Sequence, residues 1–204
     1  MSDVEEFRLI SPAFPNQGKI PRKFTGDGAG ALKDLSPPLE WYGVPEGSQS
    51  LALIVEDPDA PDPQHPIVPW VHWVVINIPP TLKGLPAGFS TKRVDENSEY
   101  AQMQEGVNDW KVPGYRGPNP PVGNHRYVFT LYALDTELNL GNKVTKEKVL
   151  DAIEGHVLGE ARLIGYYTKE KHVSGHDQYM PPGAPHPSGP GFPDVIKAKH
   201  PTHR

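Results

Sequence analysis

The sequence contains no cysteine. Disulfide frameworks, thiol chemistry and cysteine-ligated zinc or iron–sulfur centres are therefore excluded. Positive charge is scattered and outnumbered: 20 Lys and Arg face 25 Asp and Glu, the net charge is −5, and no Lys/Arg run exceeds a pair. Nonspecific nucleic-acid binding needs clustered cations to displace counterions, so no nucleic-acid partner is expected. No stretch approaches the ~20 apolar residues of a membrane helix, so integral membrane association is not expected either. The first ten residues, MSDVEEFRLI, are acidic and lack an apolar h-region. They do not read as a secretory leader, and a soluble cytoplasmic protein is the expectation.

What is abundant is turn chemistry. The 25 prolines and 20 glycines suit a β-rich domain with long, proline-stiffened connections. Residues 1–170 are expected to form one domain. Beyond it, 171–204 hold seven prolines, four glycines and five histidines, with a net charge of +2 against −7 for the rest. With almost no apolar periodicity to offset ordering entropy, this segment reads as a disordered or polyproline-like tail.

Strand signals are spaced along the domain. Phe7 to Ile10 and Leu39 to Trp41 read as short strands. Ser50 to Glu56 (SLALIVE) reads as a buried strand stopped by Pro58, which cannot donate to a ladder. Trp70 to Ile78 (WVHWVVINI) is the strongest. On period two, Trp70, His72, Val74, Ile76 and Ile78 share one face, and Val71, Trp73, Val75 and Asn77 the other. Both faces are mostly apolar, so this strand should lie between two packed layers. Arg126 to Leu134 and Ala161 to Thr168 complete the set, and Pro79 to Asn124 should be mostly loop.

One helix is signalled, with Thr145 as N-cap and Val144 and Val149 as a hydrophobic staple. Its apolar stripe would be Val149, Leu150, Ile153, Val157 and Leu158, with Gly159 after its end. No internal repeat is apparent.

With the tail set aside, four histidines remain: His65, His72, His125 and His156. His65 sits in a proline-rich loop and His156 on the expected helix, so both read as structural or solvated. His72 lies within a buried strand and His125 directly before one. A buried imidazole needs a hydrogen-bond partner or loses roughly 1–3 kcal/mol. Asp57 and Asp59, held in the stiff turn Asp-Pro-Asp-Ala-Pro, could supply it. A second feature is the loop Gly117-Pro118-Asn119-Pro120-Pro121-Val122-Gly123 running into His125-Arg126-Tyr127. Its backbone N–H groups, with His and Tyr side chains, could hold an anion. Equally, it could be a proline-rich connection and nothing more.

SPPLEW (36–41), LALIVEDPDAP (51–61), PWVHWVVINIP (69–79), GYRGPNPPVGNHRYVFTLYALD (114–135) and AIEGHVLGEA (152–161) together resemble the phosphatidylethanolamine-binding protein family, in its bacterial and plant branch. The resemblance spans about residues 7–168. It implies a mostly β fold, a sandwich of two antiparallel sheets with one or two C-terminal helices and a pocket at one end. It also implies a ligand site on Asp57, His72, Gly117, Pro121, His125 and Tyr127, with Pro61 and Trp70 shaping the rim. In that site His72 and His125 would donate to phosphate-like oxygens, while Asp57 would fix an imidazole tautomer. Arg116 adds a cation beside it. Asn119 replaces a residue that is commonly small in the family, and the tail is outside the family pattern.

The expected activity is therefore binding of a small anionic, phosphate-bearing ligand, with a regulatory protein partner and a homodimer both open. The competing readings are a His/Asp general acid–base enzyme and an inhibitor of a protease or kinase. No catalytic nucleophile motif and no cofactor motif is present, and a metal on His72, His125 and Asp57 is the least favoured reading.

Overall fold

The computed structural model describes residues 3–27, 31–32 and 34–169. The expected tail, 171–204, and the domain boundary before it lie outside these residues.

The strands, in chain order, are β1 (Arg8–Ile10), β2 (Gly18–Lys19), β3 (Leu39–Tyr42), β4 (Ser50–Asp57), β5 (Trp70–Ile78), β6 (Gly84–Leu85), β7 (Gln104–Glu105), β8 (Asn124–Leu134) and β9 (Val157–Thr168), with α1 (Lys146–Ile153) between the last two. They form a three-stranded sheet, β1-β3-β6, and a six-stranded sheet, β2-β9-β8-β4-β5-β7. All pairings are antiparallel except the two-residue contact of β2 with β9, which departs from the expectation of wholly antiparallel sheets.

The core follows from the alternation of apolar residues. Leu9, Leu39, Trp41 and Leu85 of the small sheet pack against Leu53, Val55, Trp73, Val75, Phe129, Leu131 and Leu163 of the large one. Burying each such side chain contributes roughly 1.5–3 kcal/mol. The two indoles that enter this layer both find acceptors. Trp41 Nε1 donates to the Leu82 carbonyl at 2.6 Å, and Trp73 Nε1 to Glu105 Oε2 at 2.6 Å. On the other face of β4 and β5, Ala52, Ile54, Val74 and Ile76 meet Val149 and Ile153 of α1. The central strands are thus sandwiched between two layers, as their doubly apolar pattern predicts.

Strict alternation along β5 fails at both ends. Pairing with β4 runs Val55↔Trp73 and then Glu56↔Val71, leaving His72 as an extra residue. A second irregularity separates Leu51↔Ile78 from Leu53↔Val75. These are β-bulges, which swap the faces of the residues beyond them. Val71 therefore joins Val74 and Ile76 beneath α1, and Ile78 joins Trp73 and Val75 in the main core. Asn77 absorbs the second bulge at φ +56, and its amide both donates to and accepts from the Leu138 backbone at 2.8 Å.

The helix is shorter than its apolar stripe predicts. Thr145 caps it, Oγ1 accepting from Lys148 N–H at 3.3 Å, and Val144 and Val149 are both buried. It ends at Ile153, because Glu154 turns out of the helical region and Gly155 takes φ +80. Val157 and Leu158 belong to β9 and are exposed. One α-helix is present among the described residues, and none of their helices is long and apolar enough to cross a membrane.

Candidate functional site

The site is assembled where β4 ends, β5 begins and β8 begins. At the end of β4, Asp57 Oδ1 accepts the Asp59 N–H at 2.8 Å, closing the turn that its two prolines stiffen. Asp59 in turn holds Arg126, accepting from its backbone N–H at 2.8 Å and from its guanidinium at 2.9 and 3.0 Å. Those bonds from Arg126 keep the Asp59 carboxyl below the usual carboxylate range. Asp59 thus ties the β4 turn to the start of β8 and stands outside the cavity lining.

His125 lies within β8, where the strand signal had placed it one residue before. Both of its ring nitrogens are engaged: Nδ1 with Asp57 Oδ2 at 2.5 Å and Nε2 with the Val122 carbonyl at 2.7 Å. A carbonyl oxygen only accepts, so Nε2 carries a proton and donates to it. The bond to Asp57 requires a second proton, on Nδ1 or on the carboxyl. In either arrangement the pair has a net charge of zero. Burial pushes the Asp57 carboxyl above its ordinary value, against the lowering effect of His125. Asp57 holds the His125 ring at Nδ1, while the Val122 carbonyl fixes the proton on Nε2. The donation to a ligand expected of His125 is not available in this geometry, because Nε2 is spent on Val122.

His72 enters through the bulge in β5. Its Nδ1 donates to the Arg116 carbonyl at 2.6 Å, and the Arg116 N–H returns a bond to the His72 carbonyl at 3.1 Å. Burial, the largest influence, holds the ring neutral and lowers its pKa to about 4. Two rings pack edge-on against it, Trp110 at 4.9 Å and Tyr127 at 5.2 Å between centroids. Tyr127 is itself buried, which raises its hydroxyl well above the ordinary tyrosine value.

These groups face a cavity of about 420 Å³, within the usual range for small-molecule sites. Of the residues named from the sequence, Asp57, Pro61, Trp70, His72, Pro121, His125 and Tyr127 line it. Arg116 and Gly117 do not. Arg116 lies over the Trp110 ring, its guanidinium carbon 5.6 Å from the centroid, and so flanks the site from behind that indole. Gly117 is needed for close packing, since a Cβ there would stand 2.7 Å from backbone atoms of Thr25. Its N–H donates to Asp34 Oδ1 at 3.0 Å.

Sequence reasoning missed Trp110, Ile67 and Val68, which wall the cavity together with Ala60, Asn119 and Pro120. Trp110 is positioned by its two predecessors. Asn108 Oδ1 accepts from the Trp110 N–H at 2.9 Å, while Asp109 Oδ2 accepts from the Val71 N–H at 2.7 Å. The Asn-Asp pair before a large aromatic in a loop was the available signal. Among the described residues, no group of three or more His, Asp or Glu is placed to hold a metal ion.

Comparison with known proteins gives the same assignment over the whole domain. The family model for phosphatidylethanolamine-binding protein matches residues 10–168. A UPF0098 protein of Methanothermobacter thermautotrophicus is 49% identical over 162 residues, covering 79% of this chain and 98% of the relative. One from Chlamydia pneumoniae is 41% identical over 162 residues, covering 79% and 99%. Among solved structures, a phosphatidylethanolamine-binding protein homologue from Chlamydia trachomatis superposes with a TM-score of 0.69 at 36% identity, covering 80% of this chain and 98% of that one. Escherichia coli YbcL gives 0.68 at 28% identity, covering 81% and 100%. The chain belongs to the phosphatidylethanolamine-binding protein family, in its bacterial-type branch.

Proposed function

We propose that the chain is a binding protein whose cavity holds a small, phosphate-like anionic group, and that the occupied cavity regulates a partner protein. The observation that carries this reading is the cavity floor. Among the described residues, none forms a hydrogen bond with His72 Nε2 or Tyr127 Oη, although both side chains are almost fully buried and line the cavity. A ligand that pairs both groups gains two hydrogen bonds within a mostly apolar lining.

Three further features favour an anion over a neutral apolar ligand. Tyr127 Oη–H is a donor at the floor, Arg116 places a cation behind Trp110, and the Asp57–His125 pair adds no net negative charge. No serine or threonine lines the cavity and the chain has no cysteine, so the lining supplies no Ser, Thr or Cys nucleophile for covalent hydrolysis of a bound ester.

The test is a titration with inorganic phosphate followed by histidine side-chain NMR. Resonances of His72 should move saturably, those of His125 should follow through Tyr127, and exposed His65 should stay still. Absence of any response at both His72 and His125 would sink the proposal. Tyr127→Phe should weaken phosphate binding about tenfold, the worth of one lost hydrogen bond at about 1.4 kcal/mol, with the fold retained.

A further inference from the structure

Four buried polar side chains line the cavity: Asp57, His72, His125 and Tyr127. Asp57 and His125 satisfy each other and the nearby backbone, which leaves His72 and Tyr127 to meet a ligand. The tautomer of His72 is set by its partner. The Arg116 carbonyl can only accept, so Nδ1 carries the proton and Nε2 of the neutral ring presents a lone pair to the cavity.

The groups around that lone pair do not supply the missing proton. From β8 come Tyr127 and His125, the latter with both nitrogens occupied, and from β4 comes Asp57, bonded to His125. The 106–117 segment contributes the Trp110 ring and Asp109, whose Oδ2 is held by the Val71 N–H. It also contributes Arg116, which meets His72 through its carbonyl while its guanidinium lies on the far-reaching Trp110 ring. Among its buried polar side chains the site therefore offers one fixed acceptor beside one hydroxyl, with the Trp70 and Trp110 indoles and the Asn119 amide as further donors in the wall. A fully deprotonated oxyanion pressed against it would set its own lone pairs against that of Nε2, whereas an oxyanion that still carries one O–H matches both groups.

Resting on the anion-binding reading above, we propose that the cavity selects its oxyanion in a proton-bearing form. The ligand is the monoanion of a phosphate monoester, its P–OH donating to His72 Nε2 and another of its oxygens accepting from Tyr127 Oη–H. His72 is the specificity-determining residue, and it discriminates against phosphate dianions and against sulfate, which has no proton to give. The low pKa of His72 is in keeping with this, because the ring stays a pure acceptor across the neutral range.

The experiment measures the affinity of the full chain for methyl phosphate and for inorganic sulfate between about pH 5.5 and pH 8, with the second ionisation of a phosphate monoester near pH 6. Methyl phosphate affinity should fall about tenfold per pH unit above that ionisation. Sulfate should bind at least about tenfold more weakly than methyl phosphate at pH 6. His72→Asn retains an N–H for the Arg116 carbonyl and removes the lone pair, so it should flatten the pH slope and narrow the difference between the two anions. Nitrogen NMR of wild-type His72 with methyl phosphate bound should report an unprotonated Nε2, a readout that does not depend on any variant. A flat pH profile, equal binding of the two anions, or a protonated Nε2 overturns this inference while leaving the anion-binding reading intact. Failure of both anions to bind at pH 6 overturns both.

Discussion

Acidification should unfold this protein through His72 in a way that one substitution can isolate. The ring is buried, and its pKa in the folded chain is about 4, against 6.5 for an ordinary histidine. Between those values the unfolded chain binds the proton and the folded chain refuses it. Stability from this group is thus complete above pH 6.5 and is lost as pH falls toward 4. At the usual conversion the gap amounts to about 3 kcal/mol, a large share of the 5–15 kcal/mol typical of a domain. Other groups act lower or oppositely. Asp59, held below its ordinary value by Arg126, gives up its contribution as pH falls below the normal carboxylate range. Asp57, raised by burial, contributes stability at acid pH that is lost as pH rises. Comparing wild type with His72→Asn cancels both. Urea unfolding at pH 7 and near pH 4.5 should show the wild type losing about 2–3 kcal/mol more than the variant over that interval. Equal losses in the two proteins, or a wild-type His72 titrating near 6.5, would refute the buried, neutral imidazole.

The Asp57–His125 pair should distinguish isosteric from truncating changes. Asp57→Ala removes the partner of His125 Nδ1 and the acceptor of the Asp59 N–H, and should cost roughly 3–5 kcal/mol by urea unfolding. Asp57→Asn can still accept from Asp59 and donate to a neutral His125, so its cost should stay near 1 kcal/mol. An asparagine variant as unstable as the alanine one would mean that the charge, rather than the hydrogen bonds, holds the pair. Gly117→Ala should cost about 1–3 kcal/mol, because the new Cβ meets Thr25 backbone atoms at 2.7 Å that cannot rotate away. An unchanged melting temperature would show that the 115–118 segment shifts freely.

Much of the fold was legible because strand signals are local. The runs SLALIVE and WVHWVVINI are apolar on both faces, and this alone predicts a strand between two layers. The helix start was equally plain, since Thr145 and the Val144/Val149 staple lie within six residues. Its end was misread because Val157 and Leu158 continue a helical spacing in sequence, while Gly155 breaks the backbone before them. The faces of β5 were misread at its ends, because a bulge is decided by the partner strand and leaves no mark in the alternation of the bulged one.

The site divides in the same way. Sequence by itself marked the polar candidates: two histidines and an acidic turn beside buried strands and, through the family resemblance, a proline-stiffened loop running into His125 and Tyr127. Those features are contiguous in the chain and chemically distinctive. What each residue does was settled only by tertiary structure. Partners of a ring nitrogen come from distant segments: Arg116 stands 44 residues from His72, and Asp57 stands 68 from His125. Those contacts spend both nitrogens of His125, leave one acceptor on His72, put Arg116 and Gly117 behind the cavity, and bring Trp110 into its wall. Hydrogen bonding is directional and saturable, so the protonation pattern of a site follows from which groups the fold brings within 3 Å, which composition and spacing do not encode.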